Sequence, residues 1–350
     1  MMPEILLAVL AMALLLWDLF VPKDKKHWVA WSAVASCIVT LIALVQIPSA
    51  PALTTFYGYF VLDPFAAYSK VLMIAATVLA IFLSLDFMKK EENVGEYYCL
   101  MLFSLLGMML MVSANNFVIF YLGLELMALC VYVLVAYQRN VLRSSEAGLK
   151  YFILGALSSG MLLYGLSFIY GVTGSFMFAD IGEALHHISD GSRLPALLGM
   201  MFIIAGMAFK VSIAPFHMWT PDTYEGAPTP VTAFMSVAPK VAGFVVFIRV
   251  LADAFPALQV EYTTVLTVLA ILTIGIGNIA AIAQRNIKRM LAYSTIGHVG
   301  FVLLGLIAAT PEGYSGALVY LTIYLFMNMG AFAIIILMRR DGIEGELLDD

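Results

Sequence analysis

Charged residues are scarce in this sequence of 350 amino acids, and their scarcity excludes an ordinary soluble protein. Only 12% of the residues are Asp, Glu, Lys or Arg, whereas 63% are hydrophobic. Soluble domains carry about 25% charged residues, which cover their water-facing surface. A disordered chain is also excluded, because such chains are polar and poor in aromatic residues. The composition therefore predicts an integral membrane protein.

Several motifs of redox, nucleotide and nucleic-acid chemistry are missing as well. The three cysteines, Cys37, Cys99 and Cys130, form no CxxC pair, which excludes an iron–sulfur ligand set and argues against a disulfide framework. There is no P-loop and no cluster of metal-ligand residues, so we expect neither an ATP-driven step nor a metal or cofactor site on this chain. The net charge of −5 gives no sign of a nucleic-acid partner.

Long apolar runs dominate the sequence instead. A transmembrane helix needs about 20 mostly apolar residues, and alternation of period two, which is typical of a membrane β-barrel, is absent. The sequence therefore predicts an all-α polytopic membrane protein with about eleven transmembrane helices. The predicted spans are residues 4–21, 28–47, 62–85, 97–113, 115–137, 148–171, 195–217, 229–251, 262–283, 290–309 and 316–338.

Basic residues lie mainly in alternate connections between these spans, which predicts the orientation of the chain. Cytoplasmic connections are richer in Lys and Arg, so we expect the N-terminus outside and the segment after the last span inside. One connection on the basic side, TPDTYEGAPTP, has no basic residue. The basic residues that carry this prediction are Lys23, Lys25, Lys26, Lys89, Lys90, Arg139, Arg143, Arg285, Lys288, Arg289, Arg339 and Arg340.

Four ionisable residues lie well inside predicted spans, where a lysine costs about 2.5–3.5 kcal/mol. Glu125 is in the fifth span, Lys210 in the seventh, Lys240 in the eighth and His298 in the tenth. Lys210 is the natural partner for Glu125. A protonated carboxyl bonded to a neighbouring helix is the simpler interpretation of Glu125, and a hydrogen-bonded core histidine that of His298.

Prolines beside the two central lysines predict interrupted helices. Pro215 follows Lys210 by five residues, and Pro239 directly precedes Lys240. A proline removes a backbone hydrogen bond and breaks or kinks a helix, and broken helices at membrane depth line protein or a wet cavity. His217 follows Lys210 by two helical turns, so we expect both residues on nearly the same helical face.

Other charges near the ends of the spans have simpler interpretations. Lys150 begins the sixth span near the basic side, where extension of its side chain to water explains it as well as a function does. We expect Lys70 and Asp63 to be packing or interface charges, and Glu4 and Asp18 to be interfacial. Helix packing accounts for Asn278, Asn328 and the cluster Ser158, Ser159 and Gly160.

A chain of glutamate, lysine and histidine at mid-membrane depth indicates a proton relay. In this hypothesis protons enter from one side, pass laterally along Lys210 and Lys240, and leave on the other. The residues that carry this hypothesis are Glu125, Lys210, His217 and Lys240.

The segment FKVSIAPFHMWTPDTYEGAPTPVTAFMSVAPKVAGF, residues 209–244, resembles the antiporter-like subunits of respiratory complex I. The form PFHxWTPDxYxGAP followed by APK is similar to the subunit N (ND2) type, whereas subunits M and L and the Mrp-type antiporters usually lack the APK lysine. The segments LGLELMALCVYVLVA, SSEAGLKYFILGALSSG, NIKRMLAYSTIGHVGF and PEILLAVLAMALLLWDLF fit the same family. The resemblance therefore covers essentially the whole chain.

The resemblance implies a fold of fourteen helices in which two inverted five-helix repeats each contain a broken helix. In this arrangement residues 1–96 hold helices 1–3, residues 97–251 form the first repeat, and residues 252–350 begin the second. Because the family continues through three further helices, the sequence is either a fragment, which we expect, or a shortened subunit. By position, the resemblance assigns to the relay Glu125, Lys150, Lys210, His217, Lys240 and His298.

The function implied by the resemblance is proton translocation coupled to NADH:quinone oxidoreduction in a bacterial inner membrane, with a periplasmic N-terminus. FMN, iron–sulfur clusters and quinone would then belong to other subunits. The expected partners are the other membrane-arm subunits and lipid, without nucleic acid. Two alternatives stay open: a stand-alone cation/proton antiporter of the Mrp type, and a structural subunit that does not conduct.

Overall fold

A computed structural model describes residues 1–22, 25–89, 91, 93–338 and 345–347 of the chain, and these residues are predominantly α-helical. Lys23, Lys90, Arg339 and Arg340, which contribute to the predicted orientation, lie outside the described residues. The helices are α1 (Met2–Asp18), α2 (His27–Val45), α3 (Pro64–Met88), α4 (Val94–Val112), α5 (Phe117–Val135), α6 (Leu142–Thr173), α7 (Phe178–His186), α8 (Asp190–Val211), α9 (Trp219–Gly226), α10 (Thr229–Arg249), α11 (Gln259–Ile282), α12 (Ile287–Ala308) and α13 (Pro311–Leu337).

Eleven of these helices coincide with the eleven predicted spans, and the fold class is confirmed. Within the described part of the chain, ten are long and apolar enough to cross a membrane, while α1 has 17 residues. Helices α7 and α9 are short, with nine and eight residues, and were not predicted as separate elements. A π-helical turn at Val250–Ala254 and a 3-10 turn at Pro256–Leu258 connect α10 to α11.

A short hairpin between α2 and α3 was also absent from the sequence prediction. Strands β1 (Leu53–Thr55) and β2 (Phe60–Leu62) are antiparallel, and Thr54 lies opposite Val61. Each strand has only three residues, which is too short for a periodic pattern to be recognised. The turn between them uses left-handed backbone at Phe56, Tyr57 and Gly58.

Helix α10 lies at the centre of the bundle, and all of its residues are buried. It packs against α3, α4, α5, α8 and α13. Adjacent helices approach closely at glycine: a Cβ atom on Gly107 of α4 would lie 2.5 Å from the backbone nitrogen of Met127 on α5. Small residues at such crossings let membrane helices pack backbone to backbone. A charged side chain on α10 therefore has protein rather than lipid around it.

The two prolines that were predicted to break helices have different effects in the structure. Helix α8 ends at Val211, and the non-helical segment 212–218, which contains Pro215, separates it from α9. The predicted break at Pro239 is wrong, because α10 runs without interruption through this residue. A proline removes only one helical hydrogen bond, and packing on every side of α10 holds the remaining helix together.

Candidate functional site

Glu125 and Lys210 lie together inside the bundle, as the sequence analysis expected. The Lys210 ammonium is 4.0 Å from the Glu125 carboxylate. Ser159 of α6 donates a hydrogen bond to Glu125. Lys210 in turn donates to the Tyr132 hydroxyl at 3.3 Å and to the Ser159 hydroxyl at 3.4 Å. The carboxylate and the ammonium are thus joined by the hydroxyl of Ser159, which can both accept and donate.

The burial of Lys210 follows from close packing between α6 and α8. The Ser158 hydroxyl donates to the carbonyl of Gly206 at 3.1 Å, and a Cβ atom on Gly206 would lie 2.9 Å from the side chain of Leu162. Lys210 occupies the last turn of α8, one turn beyond this contact, and is 7% exposed. Its charge therefore lies away from solvent and depends on the groups of α5 and α6.

Lys240 is held by the segment that follows α8. Its ammonium donates to the Ser212 hydroxyl at 2.8 Å, and Thr220 donates to the same hydroxyl at 2.8 Å. The rings of Trp219 and Tyr224 lie 5.7 Å and 5.8 Å from the ammonium, within the range of cation–π attraction. Lys240 is 1% exposed. Among the described residues no carboxylate forms an ion pair with it.

Residues at the end of α8 lie close to both Lys210 and Lys240. Lys210 is in the last helical turn, and Ser212, two residues later, has left-handed backbone with φ 69°. This conformation ends the helix and is uncommon for a residue with a side chain. The Ala214–Pro215 peptide bond in the same segment is cis. The segment therefore presents Ser212 to Lys240 directly beside the turn that carries Lys210.

His217 lies elsewhere than the helical periodicity predicted, whereas Lys150 lies near the basic end of the bundle, as expected. His217 is half-buried in the segment after α8, and its Nδ1 has no hydrogen-bond partner among the described residues. The predicted shared helical face with Lys210 is wrong, because the helix ends before His217. Lys150 is exposed and forms ion pairs with Glu146 at 2.8 Å and Asp222 at 3.1 Å. Neither residue reaches the Lys210 cluster by a described hydrogen bond.

His298 belongs to a separate polar group between α12 and α13. Its Nδ1 is 2.7 Å from the Tyr320 hydroxyl, and its ring centroid is 5.2 Å from that of Tyr324. Tyr324 donates to the Thr295 hydroxyl at 2.8 Å. The hydroxyl of Tyr224, whose ring faces Lys240, is buried without a hydrogen-bond partner in the described part of the chain. Aromatic hydroxyls therefore occupy the region between Lys240 and His298.

Ion pairs join α9 to the neighbouring helices at the end of the bundle that carries the basic connections. Arg289 of α12 binds Asp222 at 2.7 Å and Glu225 at 2.9 Å, and Arg143 of α6 also binds Glu225. Burial raises the pKa of Asp222, but hydrogen bonds from Arg289 and Lys150 outweigh it and hold the pKa below its ordinary value. The acidic side chains of the connection without basic residues are thus paired with basic residues of α6 and α12.

The segment 345–347 returns to the same end of the bundle. Glu346 forms ion pairs with Arg143 at 2.6 Å and Lys288 at 3.3 Å, and its backbone oxygen accepts from the nitrogen of Ile287 at 2.8 Å. Leu347 is bridged to Asn286. The start of α12 is therefore covered by the chain that follows α13.

Two ion pairs at the opposite end of the bundle were not predicted. Lys70 of α3 donates to Glu4 of α1 at 2.6 Å, and both residues are 1% exposed, which agrees with the expectation that Lys70 is a packing charge. Asp63 accepts two hydrogen bonds from Arg249, at 3.0 Å and 2.9 Å, and also caps α3. These partners are 66 and 186 residues apart in the sequence, and no local pattern signals such pairing.

Metal-ligand residues do not cluster in the part of the chain that the structure describes. The site therefore consists of ionisable and hydroxyl side chains: Glu125, Tyr132, Ser159, Lys210, Ser212 and Lys240. Of these, Tyr132, Ser159 and Ser212 were missed by the sequence analysis as members of the site. Their positions on α5, on α6 and directly after α8 could not distinguish them from ordinary helix-packing groups.

Comparisons with known proteins agree on one family. Residues 114–347 match the family model of the transmembrane region of the NADH:quinone oxidoreductase/Mrp antiporter proteins. NADH-quinone oxidoreductase subunit N of Rhodospirillum rubrum is 49% identical over the whole chain, which spans 72% of that relative.

Solved structures show the same fold. A chain of respiratory complex I from Thermus thermophilus matches with a TM-score of 0.75 and 29% identity, over 96% of this chain and 70% of its own length. A chain of an archaeal membrane-bound sulfane sulfur reductase matches with a TM-score of 0.81 and 25% identity, over 99% and 72% respectively.

Proposed function

The chain belongs to the family of subunit N of NADH-quinone oxidoreductase, and from this premise we propose that it relays protons through Glu125, Lys210 and Lys240. The proposal rests on the end of α8: Lys210 lies in the last turn of this helix, and Lys240 binds a residue of the segment that follows it. Lys210 faces Glu125 at 4.0 Å, and Ser212, two residues later, binds Lys240 at 2.8 Å. Ionisable groups at this depth are costly and mark ion or proton pathways.

Ser159 and Ser212 supply the hydroxyl links of this relay. A hydroxyl accepts a proton from one neighbour and donates its own to the next, so it can pass protons on while it is charged only briefly. Ser159 touches both Glu125 and Lys210. When Glu125 is ionised, it stabilises the proton on Lys210; when it is neutral, this stabilisation is lost and the proton is free to move on.

His298, His217 and Lys150 take outer positions in the proposal. We place His298 beyond Lys240, reached through the tyrosines of α9 and α13, since its Nδ1 is bonded to the Tyr320 hydroxyl at 2.7 Å. Lys150 lies in the ion-pair network at the basic end, where protons would enter. His217 lies on the segment after α8, and its Nδ1 has no hydrogen-bond partner among the described residues.

The redox reaction belongs to other subunits in this proposal. FMN, iron–sulfur clusters and quinone would be bound there, and this chain would act in the translocase without a redox centre of its own. Its partners would be the neighbouring membrane-arm subunits and lipid. The name of the Rhodospirillum relative, a subunit of NADH-quinone oxidoreductase, supports membership of this chain in a multi-subunit complex. We propose a bacterial inner-membrane location with a periplasmic N-terminus, because the basic connections lie at the opposite end of the bundle.

The chain would contain one complete inverted repeat and part of a second. We propose helices 1–3 in residues 1–96, the first five-helix repeat in residues 97–251, and the start of the second in residues 252–350. The interruption after α8 would be the broken helix of the first repeat. The family match over residues 114–347 supports the antiporter-like character of this region.

Replacement of Lys240 by glutamine tests the proposal. Glutamine keeps most of the side-chain length and a donor for Ser212 but cannot carry a proton. We expect NADH-driven proton pumping by the assembled complex in sealed vesicles to fall while the amount of assembled subunit is unchanged. The matched control is Lys25→Gln, which removes an exposed lysine in the connection after α1. Unchanged pumping by Lys240→Gln would instead favour a structural subunit.

A further inference from the structure

A cavity of about 1040 Å³ lies among the ends of α1, α2, α3 and α4, at the same end of the bundle as the basic connections. It is well separated from the proposed relay in sequence, because it is lined by residues before the antiporter-like region that begins at residue 114. None of the groups of the relay lines it. The cavity therefore needs an explanation of its own.

The walls of the cavity are apolar on one part and charged on another. Trp31 of α2 and Phe82 of α3 form an edge-to-face pair at 5.9 Å on the apolar part, together with Leu85. The charged part includes Lys26 and Lys89. Pockets of this size are large enough for a drug-sized or larger ligand. A matching ligand has an apolar body and a charged end.

The charges in the cavity are of both signs. Three carboxylates, Asp18, Asp86 and Glu91, and two ammonium groups, Lys26 and Lys89, line it among the described residues. Lys26 binds Asp18 at 2.7 Å, and Lys89 binds Asp86 at 2.6 Å. Because the described lining offers both signs of charge, a ligand with only one sign would leave one set of these groups unmatched. The lining fits a ligand that carries a phosphate and a cation together.

Exposure at the rim identifies the side from which the ligand arrives. Trp28 and Trp31 of α2 are 57% and 49% exposed, and tryptophan is enriched at the boundary between the membrane and water. The pair of Asp86 and Lys89 is largely exposed, so exchanging its partners for those of a ligand costs little. The ligand thus comes from the lipid headgroup region.

From this arrangement we infer that the cavity binds a phospholipid with a phosphoethanolamine headgroup. The phosphate accepts hydrogen bonds from Lys26 and Lys89, and the primary ammonium donates to Asp86 and Glu91. A choline headgroup has no N–H donor for these carboxylates, and a glycerol headgroup has no cation. The upper acyl chains lie along Trp31 and the neighbouring apolar wall.

Photoactivatable lipids test this site in the assembled complex. The complex is reconstituted with equal amounts of phosphatidylethanolamine, phosphatidylcholine and phosphatidylglycerol that carry the same acyl diazirine. After irradiation, crosslinked peptides of α2 and α3 are quantified for each lipid. We expect phosphatidylethanolamine to exceed phosphatidylcholine about tenfold on these peptides, the effect of one charge-assisted hydrogen bond.

A charge-neutralising variant tests the residues. Asp86→Asn with Glu91→Gln is expected to abolish the preference for phosphatidylethanolamine, whereas Arg193→Gln, which breaks an exposed ion pair at the other end of the bundle, preserves it. Equal labelling by all three lipids overturns the inference in favour of bulk lipid, and preferential labelling by phosphatidylglycerol overturns it in favour of an anionic site. If the preference for phosphatidylethanolamine persists in the double variant, these carboxylates do not bind the headgroup ammonium, and the inference is overturned. The lipid preference of the unaltered complex is measured without any variant, so it tests the inference even if the double variant fails to assemble.

Discussion

Replacing Glu125 with glutamine removes the negative charge that lies 4.0 Å from the Lys210 ammonium, while the size of the side chain is kept. Two unit charges at this distance attract each other by about 4 kcal/mol at an effective dielectric constant near 20. Since 1.4 kcal/mol is a factor of ten, the equilibrium for holding a proton on Lys210 changes by up to roughly a thousandfold. The partial exposure of Glu125, 23% of its side chain, makes this an upper limit.

The assay for Glu125→Gln is NADH-driven acidification of sealed vesicles, normalised to subunit content and to the uncoupled rate of electron transfer. Because the Ser159 and Tyr132 hydroxyls stay in contact with Lys210, we expect a fall in pumping of about tenfold, two orders below the electrostatic limit. Glu312→Gln is the control, since Glu312 is exposed in the first turn of α13. Pumping at the unaltered rate by Glu125→Gln would refute the electrostatic switch.

Three further predictions concern the other polar groups. Lys70→Met removes the ammonium that Glu4 binds at 2.6 Å and leaves the N-terminal ammonium, 3.6 Å away, as its described ion-pair partner. Because that partner compensates part of the buried charge, the loss of stability should stay below the cost of about 3–5 kcal/mol for an unpaired buried charge; adding Glu4→Gln should recover part of it, and both effects are measured as shifts in the temperature of thermal inactivation of the assembled complex. Tyr324→Phe removes one hydrogen bond beside His298 and should slow pumping without reducing subunit content, whereas an unchanged rate would remove Tyr324 from the path. The pKa of Asp222 is held below its ordinary value of 3.8, so the ion pair that joins α9 to α12 should be equally strong at all pH values above 3.8 and should weaken as the pH falls through the lowered pKa. Protection of residues 219–226 from hydrogen exchange, corrected for the intrinsic rate, should therefore be constant down to that pH, and a loss of protection already at pH 6 would contradict this.

The transmembrane helices were predictable because each requires a long apolar run, which is a local property of the sequence. The partnership of Glu125 and Lys210 was predictable for a related reason: an isolated charge inside a membrane is so costly that two opposite charges are expected to meet. The hydroxyls of Ser159 and Ser212 were not predictable. Serine in a membrane helix fits helix packing equally well, and only the crossing of α6 with α8 brings Ser159 to Lys210.

The failures of the sequence predictions also have physical causes. Pro239 was expected to break α10, but the helix is buried along its whole length and tolerates the lost hydrogen bond. His217 was placed on the face of Lys210 by helical periodicity, which does not apply after α8 ends at Val211. The ion pair of Glu4 with Lys70 was not predicted, because Lys70 belongs to a helix that is distant in the sequence. Long-range packing thus decided the cases of Pro239 and Glu4, and the local end of α8 decided that of His217.

The most direct test of the relay is the ratio of protons pumped to electrons transferred in sealed vesicles that contain the assembled complex with Lys210→Ala. This change removes the ammonium that joins Glu125, Ser159 and Tyr132, and Lys25→Ala serves as the exposed control. The account predicts a lower ratio, or a loss of coupled turnover, at normal subunit content. An unchanged ratio and rate would contradict it and would leave the chain as a scaffold or place its conduction elsewhere.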